Sequence, residues 1–254
     1  MFECQPTMVL IHGAWAGSWV WAQLRPWLEQ RGFSVLTPDM PGSPQHPALT
    51  EQISLQGCVD HVIDCCAAAE GGIILVGHSG GGVIATQAAE RMAERVIGVI
   101  YVAGMMLPSG TGFAELTAEL VQIDPAAAGI SPYLQWSADA TSSSVPVEAI
   151  REIFLQDLPE EAALAVAKRF SAQPESARAL VPRWTYERFG RVPRLYVEAL
   201  QDRSVILAAQ RRMQALVPGA EVVSLDTGHV PQVSAPHMLA QVMLVFADSQ
   251  ARSC

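Results

Sequence analysis

The chain has 254 residues, half of them hydrophobic and 16% charged, with a net charge of −9. That is ample apolar material for one large α/β domain and too much for a disordered chain. The acidic balance, with no basic run denser than Arg211-Arg212, speaks against nucleic acid, and the longest apolar run, residues 96–107, is too short and glycine-broken to span a bilayer.

The start, MFECQPTMVLIHG, has neither a basic leader region nor a long apolar stretch, so no signal peptide is expected and a soluble protein is. The five cysteines (Cys4, Cys58, Cys65, Cys66, Cys254) are odd in number and irregularly spaced, and there is no C-x-x-C. Free thiols in a reducing cytoplasm are expected, with neither a zinc site nor a redox pair.

In chain order, residues 7–11 (TMVLI) read as a buried strand running into HGAWAGSWVW. Helical spacing of Val20, Leu24, Trp27 and Leu28 predicts a helix over 19–30, ended by Gly32. A second strand, 33–37, closes on the turn Pro38-Asp39-Met40-Pro41-Gly42, and the proline-rich stretch to Leu49 reads as loop. A helix over 54–69 precedes an apolar strand at 73–76. A helix from 79 to about 93 follows, then a strand at 96–103. Strands that are continuously apolar, alternating with helices, predict a parallel sheet covered on both faces.

From 108 to 191 the rhythm breaks and no clear buried strand appears. Helices are expected over 112–122, 147–156 and 159–170, and an insertion of this length predicts a mostly helical cap. The sheet resumes at 194–199. A helix over 205–216, a last strand at 221–225 and a closing helix over 236–247 follow. The expected division is a core of 1–107 and 192–254 with a cap of 108–191. The expected fold class is α/β, with about six mainly parallel strands.

The chemistry concentrates at GGIILVGHSGGGV, where G-H-S-G-G is an instance of G-x-S-x-G with Ser79 at its centre. A strand before and a helix after are the context a nucleophile elbow requires, with the serine in a strained turn. Close backbone approach asks for glycine at Gly77 and Gly81. The Gly80 N–H then points at negative charge developing near Ser79. Serine needs a base, itself oriented by an acid. Such groups sit just beyond the carboxyl ends of parallel strands. His229, in the loop after the last strand, fits the base. His237 lies inside the closing helix, and His12, His46, His61 and His78 break the order Ser, acid, His. Asp202, after the strand 194–199, fits the acid; Asp226 could serve instead but reads as loop-stabilising, and Glu198 lies within its strand. A second oxyanion donor is expected from the Ala14 N–H, aimed inward by a tight turn at Gly13. Trp136, Met105 and Met106 are candidates to line an apolar pocket.

Taken together, HGAWAGSWVW, DMPG, VGHSGGG, ERFGRVPRLYVEALQDRS and DTGHVP resemble the α/β-hydrolase branch of plant methylesterases, plant (S)-hydroxynitrile lyases and related bacterial carboxylesterases. The resemblance covers nearly the whole chain and is weakest in the cap. It implies a fold lacking the first two strands of larger hydrolases. It also implies Ser79, Asp202 and His229 as nucleophile, acid and base, and oxyanion donors at Ala14 and Gly80. The lyases carry threonine where this chain has Gly13 and a cyanide-stabilising lysine where it has Val230, which favours ester hydrolysis. The plant esterases usually carry leucine where this chain has Gly80, a change expected to widen the acyl side.

The expected protein is a cofactor-free, metal-free serine esterase. Its partner is a small hydrophobic ester, with methyl and aromatic esters as candidates, with neither nucleic acid nor membrane and with a homodimer left open. Its rivals are a hydroxynitrile lyase on the same triad and a non-hydrolytic small-ligand receptor.

Overall fold

The computed structural model describes residues 6–48 and 53–251. Cys4, Cys254 and Leu49 lie outside them. The chain runs β1 (Thr7–Ile11), a 3-10 turn (Ser18–Trp21), α1 (Arg25–Glu29), β2 (Ser34–Leu36), α2 (Leu55–Cys65), β3 (Ile73–His78), α3 (Gly81–Arg91) and β4 (Val96–Val102). An inserted segment then holds α4 (Phe113–Val121), β5 (Gln135–Trp136), β6 (Ser142–Ser144), α5 (Val147–Ile153), α6 (Glu160–Ala167) and β7 (Gln173–Pro174). The chain closes with β8 (Arg194–Ala199), α7 (Leu207–Leu216), β9 (Ala220–Leu225), α8 (Pro231–Ser234) and α9 (Pro236–Ala251).

Six strands form one sheet in the order β2-β1-β3-β4-β8-β9, every pair parallel. Alternate side chains of each strand leave on opposite faces. Val9, Ile11, Ile73, Leu75, Val99 and Tyr101 pack under α2, α3 and α7. Met8, Leu10, Ile74, Val76, Ile100 and Val102 pack under α1 and α9. Both faces are buried, so the inner strands carry unbroken apolar runs. β9 lies at an edge, and Val222 and Val223 are exposed there.

The predicted helix over 19–30 is instead a 3-10 turn and the short α1. Pro26 stands in the first turn of α1; it cannot donate to residue 22, so it starts a helix rather than continuing one. In the inserted segment the three predicted helices form, somewhat shortened. No long buried strand appears there, as expected, but the segment also holds β5, β6 and β7, a small antiparallel sheet that is mostly exposed or half-buried. Strands of two or three residues with the sequences QW, SSS and QP carry no hydrophobic period. A third apolar cluster joins α5 and α6 through Ile150, Phe154, Leu155 and Ala163 to Trp15 and Val230 of the strand-end loops.

The block ERFGRVPR explains itself structurally. Arg188 donates to the Glu90 and Arg91 carbonyls and pairs with Glu94, capping the end of α3. Buried Arg194 donates to the carbonyls of Phe189, Gly190, Val192 and Pro218. A cation at a helix carboxyl end satisfies orphan carbonyls and opposes the dipole. The block therefore ties the helix that follows Ser79 to the strand that precedes Asp202.

Candidate active site

Ser79 stands between β3 and α3 with φ of 51°. That left-handed conformation is uncommon for a side-chain-bearing residue and persists only where the surroundings enforce it. Here they do. A Cβ on Gly77 would lie 2.6 Å from the Gly82 Cα, and one on Gly81 would lie 2.5 Å from the Ile11 carbonyl oxygen. The crossing of strand, helix and neighbouring strand is too tight for any side chain at either position. From behind, the Met105 N–H donates to the Ser79 carbonyl at 2.9 Å, so the loop after β4 holds the turn.

His229 lies in the loop after β9, and its Nδ1 donates to Asp202 Oδ2 at 2.7 Å. Asp202 follows β8 and is almost fully buried. Its other oxygen, Oδ1, accepts the Ser204 and Val205 N–H groups at 2.7 and 2.9 Å. The carboxylate is thus held by three donors, one of them the imidazole. The proton on Nδ1 leaves His229 Nε2 with a lone pair, the state a general base needs. Asp226 does not take this place: its Oδ1 accepts from Gln201 at 2.9 Å. Glu198 turns to the side of the sheet. Burial there works against its charge, but hydrogen bonds from Arg211, Ser224 and Gln214 outweigh it and hold the carboxyl below its ordinary range.

The β1 loop reaches Ser79 directly. A Cβ on Gly13 would lie 2.8 Å from the Ser79 Cβ. Among the described residues, neither the Ala14 nor the Gly80 N–H is donated to a protein acceptor. Two histidines set aside in the sequence prove to be buttresses. His12 Nε2 accepts the Met40 N–H at 3.0 Å, so its Nδ1 carries the hydrogen and donates to the Gly13 carbonyl at 2.9 Å. His78 Nε2 donates to the His229 carbonyl at 2.8 Å. Burial lowers both imidazoles below the usual histidine value, His78 most, with His229 adding to the effect. Both rings therefore stay neutral. Asp39, in the DMPG turn, accepts the Ser18 N–H and hydroxyl, which fixes the far side of the same loop.

A cavity of about 750 Å³ opens over these groups. Ala14, Ser79, Gly80 and His229 line it, and Asp202 stands behind His229. Most of its wall comes from the inserted segment: Phe113, Ile130, Leu134, Trp136, Phe154 and Phe170. Trp136 and Met105 line it as expected; Met106 does not, being fully buried in the core under α3. One ion pair faces the cavity, Arg178 with Glu175, bidentate at 2.7 and 2.8 Å.

The inserted segment also grips both loops of the His–Asp pair. Asp157 Oδ2 accepts the Gly228 N–H at 2.6 Å, immediately before His229. Gln156 donates to the Gln201 carbonyl at 2.6 Å, immediately before Asp202. The Phe154 ring lies 4.8 Å from that of His229. No sequence pattern marked these three residues, since they lie in the irregular stretch after α5. Cys58, Cys65 and Cys66 are free; burial pushes Cys58 up to about 12 and Cys66 to about 11, which disfavours the reactive thiolate at both. Among the described residues no group of three or more His, Cys, Asp or Glu is placed to hold a metal, and no helix is long and apolar enough to cross a membrane.

The chain belongs to the alpha/beta hydrolase family, whose model matches residues 8–242. Within it, the chain is 32% identical over 248 residues to a pyrethroid hydrolase of Sphingobium wenxiniae, covering 96% of this chain and 88% of that protein. It is 25% identical to methylesterase 17 of Arabidopsis thaliana, over 96% of this chain and 92% of the relative. The crystal structure of a pyrethroid hydrolase from Sphingobium faniae superposes with a TM-score of 0.83 at 30% identity, over 97% of this chain and 99% of that one.

Proposed function

We propose that this α/β-hydrolase cleaves carboxylic esters through an acyl-enzyme on Ser79. It is a serine esterase-type hydrolase, in keeping with the bacterial and plant esterases it resembles. The observation that carries the reading is the buried His229–Asp202 hydrogen bond of 2.7 Å, with His229 lining the same cavity as a serine held at positive φ. Ser79 Oγ attacks the ester carbonyl carbon while His229 Nε2 takes the hydroxyl proton. The oxyanion accepts the Ala14 and Gly80 N–H groups, whose hydrogen bonds strengthen as charge develops. The C–O bond to the alcohol breaks and His229 returns the proton to the leaving oxygen. Water, deprotonated by the same nitrogen, then attacks the acyl carbon and restores Ser79. Asp202 keeps the imidazole in the productive tautomer and stabilises its cation.

Residues 108–191 act as a cap that supplies the substrate wall. A cavity of this size, aromatic and aliphatic, fits a larger hydrophobic ester better than a short-chain one; a pyrethroid, cleaved by the Sphingobium relative, is one such compound. Among the described residues Cys58, Cys65 and Cys66 are free thiols, which supports a reducing, cytoplasmic setting. The test is release of p-nitrophenol from p-nitrophenyl esters of increasing chain length by the wild type and Ser79→Ala. Turnover that disappears in the variant supports the reading, and unchanged turnover contradicts it. A lyase would instead release cyanide from mandelonitrile.

A further inference from the structure

The turn after β3 contains three successive glycines, and they are not equivalent. A Cβ on Gly81 would meet the Ile11 carbonyl oxygen at 2.5 Å, and one on Gly82 would meet the Met105 nitrogen at 2.8 Å. Backbone crowding therefore demands both. A Cβ on Gly80 would meet nothing within 4 Å. Its backbone, at φ −56° and ψ −25°, is ordinary right-handed helix that any residue adopts. Glycine at such a position costs conformational entropy and gains no packing. What its missing side chain does create is free space in the cavity wall, directly beside Ser79.

The chemistry of ester cleavage says which part of a substrate meets that space. Around the attacked carbon, one direction is taken by Ser79 Oγ and one by the oxyanion, which the Ala14 and Gly80 N–H groups receive. The leaving oxygen must face His229 to collect its proton. The remaining direction belongs to the acyl carbon, and the Gly80 Cα lies one bond from an N–H that binds the oxyanion. A substituent on the acyl α-carbon is the part of the ester brought nearest to the open side of Gly80.

We infer that Gly80 is a specificity-determining residue whose absent side chain makes room for acyl groups branched at the α-carbon. This rests on the esterase reading and narrows its substrate class to bulky, α-substituted carboxylic esters. The experiment compares kcat/KM for two isomeric substrates, p-nitrophenyl pivalate and p-nitrophenyl valerate, in the wild type, Gly80→Ala and Gly80→Leu. Both variants keep the backbone N–H, and the open space predicts that they melt at or above the wild-type temperature. The pivalate-to-valerate ratio is expected to fall at least tenfold in Gly80→Leu, and by less in Gly80→Ala. Should Gly80→Leu fail to fold, the Ala variant carries the same comparison. An unchanged or rising ratio would overturn the inference, with the esterase reading intact. A loss seen only between isopropyl and n-propyl butyrate would also overturn it, since the space would then serve the alcohol. A wild type that cleaves neither p-nitrophenyl ester would remove the esterase reading and this inference together.

Discussion

The strand-end turns and the inserted segment build the site by opposite means. At the ends of β1, β3, β8 and β9 the backbone itself is the constraint. Gly13, Gly77 and Gly81 stand where a single added carbon would meet a neighbouring atom at 2.5 to 2.8 Å, and Asp202 is locked by two N–H groups and an imidazole. In the inserted segment the elements are short and the cavity wall is side chains from α4 and from the loops that follow it, Ile130, Leu134, Phe154 and Phe170 among them. Tight backbone crossings leave one solution for the chemical groups. A wall of side chains can change with little effect on the sheet. The lesson is that the proposed reacting groups sit on the strand-end turns while most of the cavity wall comes from the inserted segment, with Gly80 part of the core's own share of that wall. The two pieces meet at Asp157, Gln156 and Phe154.

That comparison can be broken at graded cost. Asp202→Asn removes the acceptor that fixes the His229 tautomer and is expected to lower kcat about 10⁴-fold with little change in KM; steady-state kinetics on a p-nitrophenyl ester checks it. Asp157→Ala acts from the inserted segment. By freeing the Gly228 N–H it loosens the loop of His229, and a loss of about ten- to hundredfold in kcat is expected, since small misplacements are costly. A rise in KM alone, with kcat unchanged, would show that the segment binds substrate without positioning the base. Gly81→Ala tests the crowding: it is expected to cost about 1–3 kcal/mol as overpacking, lowering Tm by several degrees in a chain of this size. Gly80→Ala, its neighbour, should cost nothing.

The smallest effect is on pH. His12 and His78 have lowered values in the fold, so the unfolded chain takes up protons first. The stability they contribute is complete above the ordinary value of 6.5 and is lost as pH falls below it toward their folded values. Tm measured from pH 7.5 down to 5 should therefore fall, and replacing His78 with Gln should flatten the slope.

The legibility of the sequence follows the same division. Ser79, Asp202 and His229 could be singled out as candidates because a G-x-S-x-G turn and the ends of parallel strands leave few places for each group, and the structure sets Ser79 and His229 on one cavity with Asp202 bonded to His229. The core strands could be read because burial on both faces writes continuous apolar runs. The inserted segment yielded its helices, whose period is long, but not β5 to β7, which are too short to have one. Asp157 and Gln156 were invisible because their roles come from loops that meet only after folding, 71 and 45 residues apart from their partners. His12 and His78 were seen and set aside: chain order excluded them as the base but said nothing of hydrogen bonds to the Gly13 and His229 carbonyls.

The most direct measurement is the site of covalent modification when the enzyme is treated with diethyl p-nitrophenyl phosphate, whose phosphorus is attacked as an ester carbonyl is. Peptide mass spectrometry should find one diethylphosphoryl group, on the peptide carrying Ser79, in step with loss of ester hydrolysis. Full inactivation with the label elsewhere, or hydrolysis persisting in protein fully labelled at Ser79, would contradict Ser79 as the nucleophile.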